Sequence, residues 1–177
     1  DMPTRNWTRE ELLAAFYLYC HTAFGKLHKG NPDIIQLAGR LGRTPSSVAM
    51  KLVNFASLDP LQQARNIKGL SNASQSDQAL WENFNNDPES IAYESTEVFK
   101  SISDKEHKED VADSALILPS GPTDKRAMTR VRLVQGFFRS AVLVSYDYQC
   151  AICNLALVEL LTASHIVPWS HDVTRRA

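Results

Sequence analysis

Three times before Ser46 the chain sets a hydroxyl or amide side chain directly ahead of a run with helical apolar spacing, and nothing else in it constrains folding as strongly. Thr8 precedes "REELLAAFYLYC", with Glu11 three residues further on. In that pairing a cap side chain and a carboxylate satisfy each other's free backbone N–H groups. Leu12, Leu13, Phe16, Tyr17 and Cys20 then fall at helical spacing on one face. Asn31 and Pro32 open "DIIQLAGRLG", since proline at a first helical position gives up an N–H that would have no partner there. Ile34, Ile35, Leu37 and Ala38 supply that helix's buried side, and Gly39 to Gly42 end it. Thr44 and Pro45 repeat the signal before "SSVAMKLVNFASLD", where Val48, Leu52 and Phe55 align at i, i+4 and i+7. Three short helices are expected, with a tight Gly-Arg-Thr-Pro turn before the last: a helix-turn-helix pattern.

In such a unit the last helix enters the major groove of duplex DNA. Short side chains near its start, Ser46 and Ser47, would let the backbone approach, and Lys51 and Asn54 would reach phosphates or base edges. A plain three-helix packing unit, binding protein or nothing, carries the same spacing. The Trp near the start and the run "LAGRLGRTPSSVAMKL" also resemble Myb/SANT-like modules, which implies a DNA partner.

The net charge of −1 hides a pattern. Residues 1–75 carry nine Lys and Arg against five Asp and Glu, residues 76–125 four against twelve, and residues 126–177 six against three. Basic ends flank an acidic middle, and phosphate contacts depend on local fields screened within about 8–10 Å. "GLSNASQSDQ" has linker composition, "ALWENF" and "PESIAYESTEVFK" suggest short helices, and "SISDKEHKEDVADSALILPSGPTDKR" suggests a mobile connector in which His107 is a surface residue. The middle is assigned no chemistry, and its acidity would keep it away from a bound duplex. No apolar run approaches the roughly 20 residues needed to span a bilayer, so no membrane partner is expected. Three cysteines and no apolar leader favour a cytoplasmic location over a secreted disulfide framework.

"MTRVRLVQGFFRSAVLVSYDYQC" has the spacing of one long helix, apolar at Val131, Val134, Phe138, Ala141 and Leu143 and polar at Arg130, Arg132, Gln135 and Arg139. Cys150 and Cys153 then form a Cys-x-x-Cys turn, followed by "ALVEL" and "LLTASHI", two β-prone runs expected to pair as a hairpin whose second strand ends at His165. The thiols can pack at the turn or supply half of a structural zinc site; with only two of four ligands visible, packing is favoured. A redox pair lacks the βαβ setting it would need.

Taken together, "RVRLVQGFFRSAVLVSYDYQCAIC" and "LLTASHIVPWS" closely resemble the start of the HNH nuclease domain in bacterial restriction-type endonucleases, and the N-terminal helices resemble the region preceding that domain. The resemblance covers both ends of the chain and implies a ββα-metal nuclease. It assigns His165 as the general base that activates water against a phosphodiester, with one divalent cation, Mg²⁺, at the leaving oxygen. It makes Arg130, Arg132, Gln135 and Arg139 DNA contacts. Ser164 stands where many such enzymes place a metal-ligating Asp or His, and the motif's Asn and second His are not found after His165. His171 and Asp172 lie too close to His165 to replace them. The expectation is a fragment or truncated variant with half an active site, inactive alone.

The fold class expected is mainly α, within α+β. Residues 1–70 form a helix-turn-helix-like bundle, 71–125 a helical and acidic connector, and 126–177 a long helix plus hairpin, an incomplete ββα-metal domain. The function expected is the DNA-binding and partial catalytic portion of a restriction-type endonuclease acting on double-stranded DNA, as a homodimer if its target is palindromic. The alternative is a DNA-binding regulator or adaptor whose HNH-like module is inert.

Overall fold

A computed structural model describes residues 5–65, 73–103 and 122–164. The chain runs through α1 (Arg9–Cys20), α2 (Pro32–Leu41), α3 (Pro45–Leu58), α4 (Pro60–Ala64), α5 (Gln75–Asn86), α6 (Pro88–Ser103) and α7 (Pro122–Ser145), with single 3-10 turns at Phe24–Lys26 and Val158–Leu160.

The expected caps form. Thr8 Oγ1 accepts from the Glu11 amide at 3.3 Å while Glu11 Oε2 accepts from the Thr8 amide at 3.0 Å. Asn31 Oδ1 accepts from the Asp33 amide at 2.9 Å, and Thr44 Oγ1 from the Ser47 amide at 3.2 Å. Gly42 closes α2 in the left-handed region, φ 62°, and the next amide, Arg43, bonds back to the Ala38 carbonyl at 2.9 Å. A side chain at Gly42 would be strained in that conformation, and glycine lets α2 end there and the chain turn into α3.

α1 departs from the one-faced helix its spacing suggested. Leu12, Leu13, Ala14, Ala15, Phe16, Leu18 and Tyr19 are all buried, so apolar contact surrounds it. α3 packs on one side of it, α6 on another, and α5 and α7 also touch it. A helix buried on nearly every side has to be apolar on nearly every side. Phe16 is the hub: its ring centroid lies 5.4 Å from Phe55, 5.9 Å from Trp81, 5.0 Å from Phe84 and 6.5 Å from Phe137. One buried cluster therefore joins residues from all three sequence segments, with Leu80, Ile91 and Ala92 of the supposed connector among them.

Three further differences have physical causes. The described part of "GLSNASQSDQ", residues 73–78, is not a linker: Ser74 and Asp77 form a second capping box and α5 starts at Gln75. On α7, Phe137 enters the core with Ala141 packed against it, one turn further on, while Val131 stays 53% exposed, because the helix turns the Phe137 side toward α1 and α6. Finally, the described residues contain no strand. Val158–Leu160 instead make a 3-10 turn, and Leu155, Leu157 and Leu160 are exposed, so the first β-prone run has no sheet face to bury against. The hairpin is corrected to that extent; His165, its expected end, lies outside the described residues along with His107, His171 and Asp172.

Candidate functional site

The two sets of expected DNA contacts fare differently. On α3, Ser46 is exposed and Ser47 partly so. Lys51 is not presented to a partner. Its side chain is 7% exposed, and Nζ sits 2.6 Å from Oδ1 of Asp77, which is fully buried. Asn54 Nδ2 approaches the other oxygen of the same carboxylate at 3.4 Å. Asp77 also accepts from the Ser74 amide at 3.0 Å, so one carboxylate caps α5 and ties it to α3. Lys51 Nζ lies 5.1 Å from the centre of the Trp7 ring, and the Arg43 guanidinium 4.1 Å from it, so two cations cover the same indole. With Lys51 turned inward, the outer face of α3 shows Ser46, Met50 and Val53 and no cation.

Arg43 is held too. It bonds Glu11 at 2.8 Å and the carbonyls of Asn6, at 2.9 Å, and Arg5. Burial opposes ionisation of Glu11, but Arg43, the Thr8 amide and Arg5 together outweigh it and hold the carboxyl below its ordinary range.

On α7, Arg132, Gln135 and Arg139 are exposed at i, i+3 and i+7, one stripe on the outside of the helix. Gly136 lies within the stripe, and a side chain there would meet nothing within 4 Å. Arg130 is anchored to α6, donating to Ser90 Oγ at 3.2 Å and lying 5.2 Å from the Tyr93 ring centre. Arg139 bends along the surface to the segment that follows the helix, where one guanidinium nitrogen donates to the carbonyls of Val158 at 3.0 Å and Leu161 at 3.1 Å.

Between these lies the cysteine turn. α7 ends through Asp147 and Tyr148, both at positive φ, and Tyr148 bonds back to the Leu143 carbonyl at 2.8 Å. The turn is closed by Asn154 to the Cys150 carbonyl at 3.0 Å and by Cys150 to the Leu155 carbonyl at 2.9 Å, with Asn154 at φ 58°. Inside it, the Ile152 amide points at Cys150 Sγ from 3.5 Å. Backbone N–H groups of Cys153 and Ile152 lower the pKa of the Cys150 thiol below its ordinary value. Cys153 is exposed, and neither thiol is in a disulfide. The pair could give zinc two of the four ligands a structural site requires. Among the described residues no group of three or more His, Cys, Asp or Glu side chains converges to hold a metal ion.

The chain matches no family model, no curated protein and no solved structure. What bears on function is therefore this chain's own geometry.

Sequence reasoning missed two features. Asp77 was hidden in a stretch of linker composition, although Ser74-x-x-Asp77 is itself a capping signature. Arg139's second role depends on carbonyls nineteen and twenty-two residues away, which no local pattern reveals. No helix among the described residues is long and apolar enough to cross a membrane.

Proposed function

We propose that the chain is the DNA-binding and partial catalytic portion of an HNH restriction-type endonuclease, with α7 rather than α3 as its principal contact to the duplex. The observation that carries this is the Arg139 clamp. The arginine that ends the exposed α7 stripe also holds the carbonyls of Val158 and Leu161, seven and four residues before His165. The helix carrying positive charge and the run that delivers the histidine are thereby tied together, as a nuclease needs if one is to grip the phosphate backbone that the other attacks.

The α7 stripe suits phosphates better than bases. Arg132 and Gln135 are exposed beside the side-chain-free Gly136, so a sugar-phosphate strand can come close to the helix. Contacts of that kind position a duplex without selecting a sequence. The imidazole of His165 would take the proton from water as that water attacks phosphorus.

The described residues do not fit a resident Mg²⁺, since no cluster of ligating side chains is found among them. The divalent ion of the proposed reaction would need ligands from elsewhere, and the chemistry assigned to this chain is the proton transfer alone. Cys150 and Cys153 would hold the turn before the histidine segment, through packing or as part of a zinc site.

Fluorescence anisotropy on a short duplex, titrated with salt, tests the binding half. Arg132→Ala should weaken binding and reduce the slope of log K against log salt by about one phosphate equivalent. An unchanged slope removes α7 from the interface. Binding without cleavage, in a protein that carries a complete metal site, would favour the regulator or adaptor.

A further inference from the structure

A cavity of about 400 Å³ opens between the end of α1, α4, the end of α5 and the second half of α7, and no residue of the α7 stripe or of the cysteine turn lines it. The geometry points to this cavity as a binding site for a small organic cation with a flat apolar body, an arylalkyl ammonium being the simplest example. This site does not depend on the nuclease proposal.

The volume lies in the range of pockets that enclose small molecules, and the lining has their usual character, mostly apolar with a few polar groups. Trp81, Phe84, Phe138 and Tyr146 contribute aromatic surface. The Trp81 and Phe84 rings lie 6.2 Å apart at 54°, and both remain partly exposed although they adjoin the core. Ring faces attract cations through their quadrupoles, most strongly where water is displaced.

Two polar groups set the sign and direction of what can enter. Asp59 lines the cavity, and among the described residues no Lys, Arg or His does. Its carboxylate is fixed by the Tyr19 hydroxyl at 2.6 Å and the Leu61 amide at 2.8 Å, so its negative charge is held in place beside the opening. Gln62, also in the lining, is only 9% exposed, and its Oε1 is buried with no partner among the described residues. A buried acceptor without a donor is uncommon in a finished fold. The terminal torsion of glutamine is broad, and the assignment requires the Gln62 amide to rotate so that this oxygen meets the occupant. An anion would meet Asp59 with nothing to balance it, and a neutral arene would leave the Gln62 oxygen unserved. An ammonium N–H satisfies Gln62, its charge complements Asp59, and its ring lies against the aromatic wall.

The test follows the indole N–H signal of Trp81 by NMR, assigned with Trp81→Phe. Three probes of one shape and different charge are added: phenethylammonium, 2-phenylethanol and 3-phenylpropionate. Phenethylammonium should shift the Trp81 signal saturably and leave that of Trp7 in place. The alcohol should bind about tenfold more weakly and the carboxylate not measurably, since a hydrogen bond involving a charged group is worth about a factor of ten or more. Gln62→Met should weaken phenethylammonium about tenfold, and Ala141→Trp should block the cavity. Equal response to all three probes, no shift with any at millimolar concentration, or unchanged affinity in Gln62→Met would each overturn the assignment. The Gln62→Met comparison decides the matter even if Ala141→Trp fails to fold.

Discussion

Lys51 Nζ and Asp77 Oδ1 meet at 2.6 Å across 26 residues of sequence, both out of solvent, and this contact converts an expected DNA-binding side chain into a structural one. Removing one partner of a buried pair leaves the other charge without compensation, which costs about 3–5 kcal/mol. Lys51→Met should therefore lower the urea-unfolding free energy by an amount in that range. The folded fraction should bind duplex DNA with an unchanged salt slope. A loss of slope with stability intact would return Lys51 to the interface.

The same pair shows what was legible in the sequence and what was not. The caps at Thr8, Asn31 and Thr44 were legible because each is local, a side chain bonding an amide two or three residues away. The burial of Lys51 was not, because its partner arrives from another helix. On a helical projection a lysine beside serines lies on the solvent side, and only tertiary packing reverses that. The β-prone "ALVEL" failed for a related reason: alternation makes a strand only where a neighbouring strand and a buried face exist, and Leu157 and Leu160 have neither among the described residues. At the candidate site, the cysteine turn and the α7 arginines were legible from residue type. The Arg139 clamp was not.

His21 stacks on Tyr17 with ring centroids 3.9 Å apart, meets Phe137 edge-on at 5.3 Å, and bonds the Tyr17 carbonyl through Nδ1 at 2.7 Å. Burial lowers its pKa below 6.5, partly offset by the carbonyl bond. The unfolded chain then takes up a proton that the folded chain refuses. Stability is full above about pH 6.5 and falls below it, by at most about 1.4 kcal/mol per pH unit from this group. Glu11, whose pKa is depressed from 4.5, adds its own loss only at lower pH. Chemical denaturation between pH 7 and pH 5 should show the decline, and His21→Phe should flatten it. A wild-type curve level across that interval would contradict the assignment.

Cys150 and Cys20 should differ sharply toward iodoacetamide. Burial and the nearby Asp59 charge push the Cys20 thiol well up, whereas the amides of the turn lower that of Cys150. Peptide mapping after brief alkylation at neutral pH should find Cys150 modified and Cys20 untouched, with a Cys150 rate midpoint below the ordinary thiol value of about 8.5. Alkylation of Cys20 at a comparable rate in the folded protein would contradict its burial.

Arg139→Ala should release the segment after the cysteine turn without unfolding the bundle. Hydrogen exchange at Leu160 and Leu161, whose amides bond the Leu157 and Val158 carbonyls in the 3-10 turn, should accelerate while α1 and α3 amides stay protected. Uniform acceleration throughout would mean that Arg139 supports the whole fold, and no change would mean that the clamp is not needed to hold the turn.

Single-turnover cleavage of a duplex by the protein with its metal site complete, comparing His165 with His165→Ala, tests the nuclease proposal most directly. Cleavage should require Mg²⁺ and disappear in the variant, while anisotropy under the same conditions shows equal binding. Cleavage at the wild-type rate by His165→Ala would show that this imidazole is not the base.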